Sequence, residues 1–546
     1  MSTRELKGLD RRIEHSRAEA AGPARGSSAL ARGPAAGSRG SAGPTASPTP
    51  LQQSLRLFRA FDEAGVVHCH FKSNEHLAEG LAGVTDLDVL VERRHARAAQ
   101  AALSVTGFKR FSSRLAAAYP AVEDYLGFDP DTARLIHMHV HYALVAGEPH
   151  LKSYQLRLGD TLLATRVNDA QTGVYVSDPS LEMELLLLRC ALKLRWRDRV
   201  LERLGRPYLR GSLLREFRWL LQRIDRDRVR EHATRTLGAE ASGALERLLA
   251  DPPKLEDLRR LRSSATAALA YERTYGAAGA LALRLAREAT WWFSVLNRRL
   301  LRLPIAARRN NPIGGLVVAL LGPDGCGKST LARQLQGWLG WKLDVYPTYF
   351  GSGSGTVSPL RWPLKVALGA YRRLRSASLR NAADGSGPSA PAAWAGGVAR
   401  LRWIWALSLA VEKRSRMRSV VRARNRGMVV VCDRYPQVQV MGFNDGPLLG
   451  AWLESSRRWR RRVARWELEV YRSACRNAPD LAIKLKVSPE VASRRKAGVT
   501  TQEARRRLEA LERIDYGERC DHLTVDADRP FKEVLADVKR AVWERL

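Results

Sequence analysis

The sequence predicts an α/β protein. A three-layer α/β/α unit around a parallel sheet is expected at 311–546, preceded by an α+β region at 51–177 and a helical region at 178–305. Three observations predict this. Short apolar runs at 316–321, 428–432, 481–487 and 522–525 alternate with longer helical stretches, the pattern of parallel strands joined by crossover helices. Strand-like and helix-like pieces mix from 66 to 177, and leucine-dense helical texture dominates from 181 onward.

Taken in order, residues 1–50 are rich in Ala, Gly, Ser, Pro and Arg. With almost no large apolar side chain between 21 and 50, they are expected to be disordered. A helix is expected at 51–64, where Leu51, Leu55, Phe58 and Phe61 share one face. Strands are expected at 66–71, 87–91 and 135–144, with a helix at 75–81. The helical region should hold segments at 181–196, 211–226 and 255–271. Pro304 and the Asn310-Asn311-Pro312 run mark its end. Beyond it, helices are expected at 329–339 and 400–424, a flexible turn at 352–355, and a Gly/Ala/Pro/Ser-rich loop at 381–397.

Length suggests three or four domains, and a hydrophobic content of 45% suffices for globular cores. The six cysteines fall at no regular spacing, which argues against a disulfide framework or a zinc module. No apolar run reaches the ~18–20 residues of a membrane span, and the N-terminus lacks the apolar core of a secretory signal, so a cytoplasmic protein is expected. The net charge of +35 attracts anions, but arginine is spread through every segment. Nucleic acid is therefore not the expected partner.

The run from Gly322 to Thr330 reads Gly-Pro-Asp-Gly-Cys-Gly-Lys-Ser-Thr, between an expected strand and an expected helix. Chemistry explains the pattern. Gly322, Gly325 and Gly327 permit backbone angles that place N–H groups inward, around phosphate oxygens. The helix N-terminus adds its dipole. Lys328 would sit between the β- and γ-phosphates and Ser329 would reach Mg²⁺. The nucleotide-contacting set is thus Gly322, Asp324, Gly325, Cys326, Gly327, Lys328, Ser329 and Thr330, with ATP the expected phosphoryl donor. The 428–432 strand leads into Asp433-Arg434-Tyr435. A carboxylate at the C-terminal end of a parallel strand lies in the ligand crevice. Asp433 could hold Mg²⁺ or orient the attacking oxygen, and Arg434 could clamp an acceptor phosphate.

Together these motifs resemble thymidylate kinase. The stretches Ala478–Glu490 and Val525–Val534 are similar to that family's strand before the lid and its adenine-side loop. The resemblance implies a P-loop NTPase fold over 311–546 and transfer of the ATP γ-phosphoryl group to a nucleoside monophosphate, dTMP. It implies that Asp324 touches the acceptor sugar, that Lys328, Asp433 and Arg434 serve the reaction, and that Ser329 and Asp433 hold Mg²⁺. Arg494, Arg495 and Lys496 fall where the lid begins, and Arg495 is expected to stabilise the transferring group. The family's base-framing stretch after Asp-Arg-Tyr is replaced by 436–447. Another phosphorylated acceptor, linked to sugar or surface-polysaccharide metabolism, therefore stays open, as does a non-catalytic ATP-binding scaffold. A homodimer is also open.

The N-terminal region carries Phe71-Lys72-Ser73, then Asp86-Leu87-Asp88 on an expected strand, so Asp86 and Asp88 face one side. This resembles the nucleotidyltransferase fold, in which a Gly-Ser turn precedes Asp-x-Asp, and implies a possible second site at Asp86 and Asp88 for metal-dependent transfer. Lys72 stands where that fold has Gly. Its third carboxylate is not evident, and His137, His139 and His141 alternate on the later strand instead. They could ligate a metal or simply line a half-exposed face.

Overall fold

The computed structural model describes residues 48–351 and 392–546, apart from positions 115, 149, 206–207, 252, 443–444 and 497. Nearly all of the 1–50 segment and the turn at 352–355 lie outside the described residues. The loop expected at 381–397 is corrected in part, because a helix, Ala392–Asn425, begins inside it.

The N-terminal half is built on an eight-stranded sheet. Its strands are β1 (His68–His70), β2 (Asp86–Val91), β3 (Lys109–Ser113), β4 (Val122–Asp129) and β5 (Arg134–His141), with a separate hairpin of β6 (Leu144–Ala146) and β7 (Tyr154–Leu156). Two short strands, β8 (Val167–Asn168) and β9 (Tyr175–Val176), complete one edge. The two-residue β10 (Arg309–Asn310) forms the other. The order is β10-β3-β4-β5-β2-β1-β9-β8. Strand alternation sends Leu87, Val89, Val91, Ile136, Met138 and Val140 to one face. There they pack on Leu57, Phe58, Phe61 and Leu103 of helices Gln52–Glu63 and Ala96–Val105. Asp86 and Asp88 of β2, Asp124 of β4 and His137, His139 and His141 of β5 take the opposite face.

Helices follow from Pro179 to Leu296. The first, Pro179–Lys193, starts at Asp178, whose carboxylate accepts the Ser180 N–H at 2.9 Å. It is buried nearly all round, because the later helices and the β6–β7 hairpin surround it in a single apolar cluster. The expected 211–226 helix is instead Ser212–Leu221. Asp225 caps the next one, Arg226–Leu237. No helix among the described residues is long and apolar enough to cross a membrane.

The C-terminal half holds a five-stranded parallel sheet. Its strands are β11 (Leu316–Leu321), β12 (Val345–Tyr349), β13 (Val429–Asp433), β14 (Leu481–Lys486) and β15 (Asp521–Asp526), ordered β12-β13-β11-β14-β15. β12 is not among the expected strands, because Val-Tyr-Pro-Thr-Tyr has no apolar run; its Pro347 is tolerated because β12 is an edge strand. Val318 and Leu320 face helices Lys328–Leu339 and Phe531–Arg545. Val317, Ala319 and Leu321 face the layer that includes Met417 and Val420 of Ala392–Asn425.

The apolar core runs across the two sheets. Phe111, Leu126, Phe128 and Leu135 of the N-terminal sheet join Leu331, Leu335, Val538 and Trp543 in one cluster. The Phe128 ring lies 5.9 Å from both Trp338 and Trp543, edge-on to the first and stacked on the second. β10 pairs with β3 just before β11 begins, so the connecting segment is itself part of the N-terminal sheet.

Candidate functional site

β11 is wholly buried and runs into Gly322, from which the loop turns into helix Lys328–Leu339. Two glycines are dictated by space as well as by backbone angle. At Gly322, with φ of 152°, a Cβ would lie 2.7 Å from the Cys326 Sγ and 2.8 Å from the Leu485 carbonyl oxygen. At Gly325, with φ of 90°, it would lie 2.6 Å from the Ala492 carbonyl oxygen. Lys328 folds back over the loop. Its buried Nζ donates to the carbonyls of Gly322 at 2.8 Å and Pro323 at 2.6 Å.

Parallel pairing of β13 with β11 sets Asp433 opposite Leu320, level with the start of the loop. The Ser329 hydroxyl donates to Asp433 Oδ2 at 2.5 Å, while Oδ1 is buried and has no hydrogen-bond partner. Arg434 follows with φ of 72°, a left-handed conformation that costs a non-glycine residue of order 1 kcal/mol or more. Its N–H holds the Leu320 carbonyl at 3.0 Å, and its guanidinium reaches Asp324 and, at 3.2 Å, Asp445. Tyr435 is buried edge-on against Phe350 and Tyr516, and its hydroxyl donates to the Asn477 carbonyl. It anchors the turn that aims Asp433 and Arg434.

Asp324 is the hub of the loop's charged side. It accepts from Arg434, from Lys496 at 3.0 Å and from Arg507 at 2.8 Å. Burial opposes its ionisation, but Arg434 and the other cations hold its carboxyl well below the usual range. Arg495 lies elsewhere. It donates to the Ala527 carbonyl at 2.9 Å and lines a cavity of about 310 Å³ with Gly325, Gly327, Thr330, Arg529 and Phe531. Cys326 borders the same cavity. Of the cations between 494 and 507, Lys496 and Arg507 are thus the ones seen to reach the Asp324–Arg434 cluster. Arg507 was not singled out in the sequence; its helix, Thr501–Glu512, lies beyond the motif, and its signal is only one arginine among three.

The 436–447 stretch is held by buried polar anchors. Gln437 accepts the Val440 N–H at 2.7 Å and donates to its carbonyl at 2.8 Å. Glu467 accepts the N–H groups of Leu448 and Leu449 at 3.0 and 2.8 Å. Buried Lys413 reaches the Asp445 carbonyl at 3.1 Å, so Asp445 links it to Arg434. Asp445 too carried no contiguous motif to reveal it.

On the N-terminal sheet, β2, β5 and β4 lie side by side. Asp86 pairs in register with His137, Asp88 with His139, and Asp124 with His139 from the other side. A third carboxylate, Asp124, which was not singled out in the sequence, thus lies beside this group on β4. It was hidden because it lies on an antiparallel strand well separated in sequence from Asp86 and Asp88. Asp124 is 2.9 Å from His139 Nδ1 and 3.2 Å from His137 Nε2; Arg309 donates to it at 2.7 Å and Ser113 also donates. Burial opposes its ionisation, but these histidines and Arg309 hold it well below the carboxylate range. Lys72 binds Asp88 at 2.7 Å, so the residue standing in place of glycine neutralises the second carboxylate. Ser73 has φ of 56° and its hydroxyl donates to Glu216 at 3.1 Å. Burial pushes His141 down to about 3 and Lys152 to about 7, the latter with help from Lys72. Asp86 also meets Lys342, which follows the phosphate-loop helix.

No known protein-family profile matches the chain. Similar proteins are found in Escherichia coli. The K12 protein named ATP-binding protein YghR is 30% identical over 239 residues, spanning 43% of this chain and 90% of its own length. The YghR of strain CFT073 gives the same values. The K12 ATP-binding protein YghS is 28% identical over 234 residues, 42% of this chain and 93% of its own. Through this shared region the chain belongs to the family of the ATP-binding proteins YghR and YghS.

Proposed function

We propose that the chain is an ATP- and Mg²⁺-dependent phosphotransferase that moves the γ-phosphoryl group to a phosphorylated acceptor, a nucleoside monophosphate with dTMP the first to test. The observation that carries this reading is the 2.5 Å approach of the Ser329 hydroxyl to Asp433, at the end of a glycine loop whose lysine is buried against it. The names of the relatives YghR and YghS support ATP as the nucleotide.

The Mg²⁺ assignment passes a chemical test. Asp433 Oδ1 is a buried carboxylate oxygen lacking a hydrogen bond, next to a hydroxyl, which is a hard oxygen donor set. Ser329 and Asp433 would hold the ion, whose contribution is to neutralise phosphate charge. The chain's own groups do the rest. The loop N–H groups and Lys328 bind and orient the phosphates. Arg434, freed from part of its hold on Asp324 and Asp445, presents a planar fork to an acceptor phosphate. Lys496 and Arg507 offer positive charge on the same side, the role first assigned to Arg495. Arg495, with Arg529 and Phe531, fits the nucleobase side of ATP.

A second acceptor class is favoured by one observation. The transferase-like sheet shares its core with the phosphate-loop half, which suits a joint pathway on activated sugars. The test is ATP consumption by the full chain with dTMP, other nucleoside monophosphates and phosphorylated sugars. Turnover with dTMP confirms the first reading. Turnover with a sugar phosphate alone transfers the proposal to the second class. Nucleotide binding without turnover on any acceptor would leave a scaffold.

A further inference from the structure

The geometry points to a transition-metal site on the N-terminal sheet, formed by Asp86, His137 and His139, with Asp124 behind the two imidazoles. It is independent of the phosphotransferase reading, since none of these residues belongs to the phosphate loop.

Three facts carry it. One donor atom from each of Asp86, His137 and His139 lies within 4.8 Å of the others. The two rings, edge-on to one another, also share their partners: each turns one nitrogen to Asp86 and the other to Asp124. His137 Nδ1 is 2.9 Å from Asp86 Oδ1, and His139 Nε2 is 3.7 Å from Asp86 Oδ2. The opposite nitrogens lie 3.2 and 2.9 Å from Asp124 Oδ1. Metal-bound histidine usually gives its other nitrogen to a carboxylate in this way, which fixes the tautomer. Finally, His137 is fully buried, and its Nδ1 makes no hydrogen bond despite the nearby carboxylate. In the tautomer that gives its proton to Asp124, that nitrogen turns a lone pair toward the Asp86 carboxylate, an arrangement that a cation relieves; without a metal, Lys342 supplies one at the same oxygen.

The separations suit a cation. Donors about 2.1 Å from a tetrahedral Zn²⁺ are about 3.4 Å apart, and the observed 2.9 and 3.7 Å bracket that value. Two imidazoles and one carboxylate favour zinc or a neighbouring first-row divalent ion over Mg²⁺ or Ca²⁺. Lys342 already holds Asp86 Oδ1, so it competes with the ion for this ligand. Arg309 and Ser113 hold Asp124 from the far side and leave its place behind the rings fixed.

The experiment uses the tag-free full chain, stripped with chelator and titrated with Zn²⁺ by calorimetry, and with Co²⁺ by visible absorption. One equivalent is expected, with Co²⁺ ligand-field bands and no thiolate charge-transfer band. His137→Ala and His139→Asn should each lose that equivalent. Asp124→Asn should weaken it about 10–100-fold, and Lys342→Ala should tighten it. Because His137 is buried, circular dichroism checks its variant. Should that variant misfold, the more exposed His139→Asn decides alone. Absence of a tight equivalent in the parent chain, or full binding retained in His139→Asn, overturns the site and leaves a cluster closed by Lys342 and Arg309.

Discussion

The phosphate loop and the N-terminal cluster solve charge placement in opposite ways. The loop uses backbone: contiguous N–H groups and carbonyls, with Lys328 folded onto the loop itself. The cluster uses side chains from three strands, tied to cations that arrive from far along the chain, Lys342 and Arg309. A backbone-made site depends on a short run of sequence and tolerates change elsewhere. A side-chain-made site depends on strand register and on the packing of one half of the molecule against the other.

The largest effect expected from this contrast is at Lys328. Lys328→Ala should cut ATP-dependent transfer by about 10³-fold or more, since charge at the transferring group is most of what such a site supplies. Single-turnover kinetics with the best acceptor measures it. Unchanged turnover would sink the phosphotransferase reading, whereas Zn²⁺ binding at the N-terminal cluster should be untouched by the same variant.

Next in size is the packing that joins the halves. Phe128→Ala removes a buried ring from between Trp338 and Trp543 and should cost about 3 kcal/mol. Urea unfolding followed by tryptophan fluorescence reads it directly, because both neighbours are tryptophans. A loss below about 1 kcal/mol would show that the two sheets are held by their polar links instead.

These two tests also mark what sequence could reveal. Gly322–Thr330 and Asp433-Arg434-Tyr435 were legible because each is contiguous, and β11, β13, β14 and β15 because buried parallel strands read as apolar runs. β12 was not legible, since an edge strand with a proline carries no such run. Asp124, Arg507 and Asp445 escaped for a related reason. Each matters only through a partner brought near by folding: His139, Asp324 and Arg434 in turn. The direction of Arg495 was not legible either, because its place in the chain says nothing of which way a helix end turns; it turns to Ala527.

That distinction gives a smaller, paired prediction of about 10-fold effects. Arg507→Ala should lower kcat with little change in the KM for ATP, because Arg507 meets Asp324, the carboxylate that the proposed function turns toward the acceptor. Arg495→Ala should raise the KM for ATP with little change in kcat, because Arg495 lines the 310 Å³ cavity. Steady-state kinetics separates them, and the reverse pattern would return the transfer role to Arg495.

The smallest expected effect concerns pH and belongs to the side-chain-made region alone. Lys152 is held down to about 7 by burial, then by Lys72 and its other cationic neighbours. Unfolded, the same lysine titrates near 10.4. Between about pH 7 and pH 10 the unfolded chain therefore binds more protons at this position than the folded one. The contribution of this group to stability therefore rises with pH across that window. Lys193, lowered to about 8 mainly by Arg189, acts in the same direction. Lys152→Met should remove part of this slope and raise Tm near pH 7 by about 1 °C for each 1 kcal/mol gained, the shift expected for a cooperative unit of about 500 residues. Thermal unfolding of parent and variant at pH 7 and pH 9 measures it. Equal slopes in the two proteins would mean that Lys152 keeps its proton in the folded chain, and that Asp88 and His141, with Lys72, neutralise the cluster more completely than burial alone suggests.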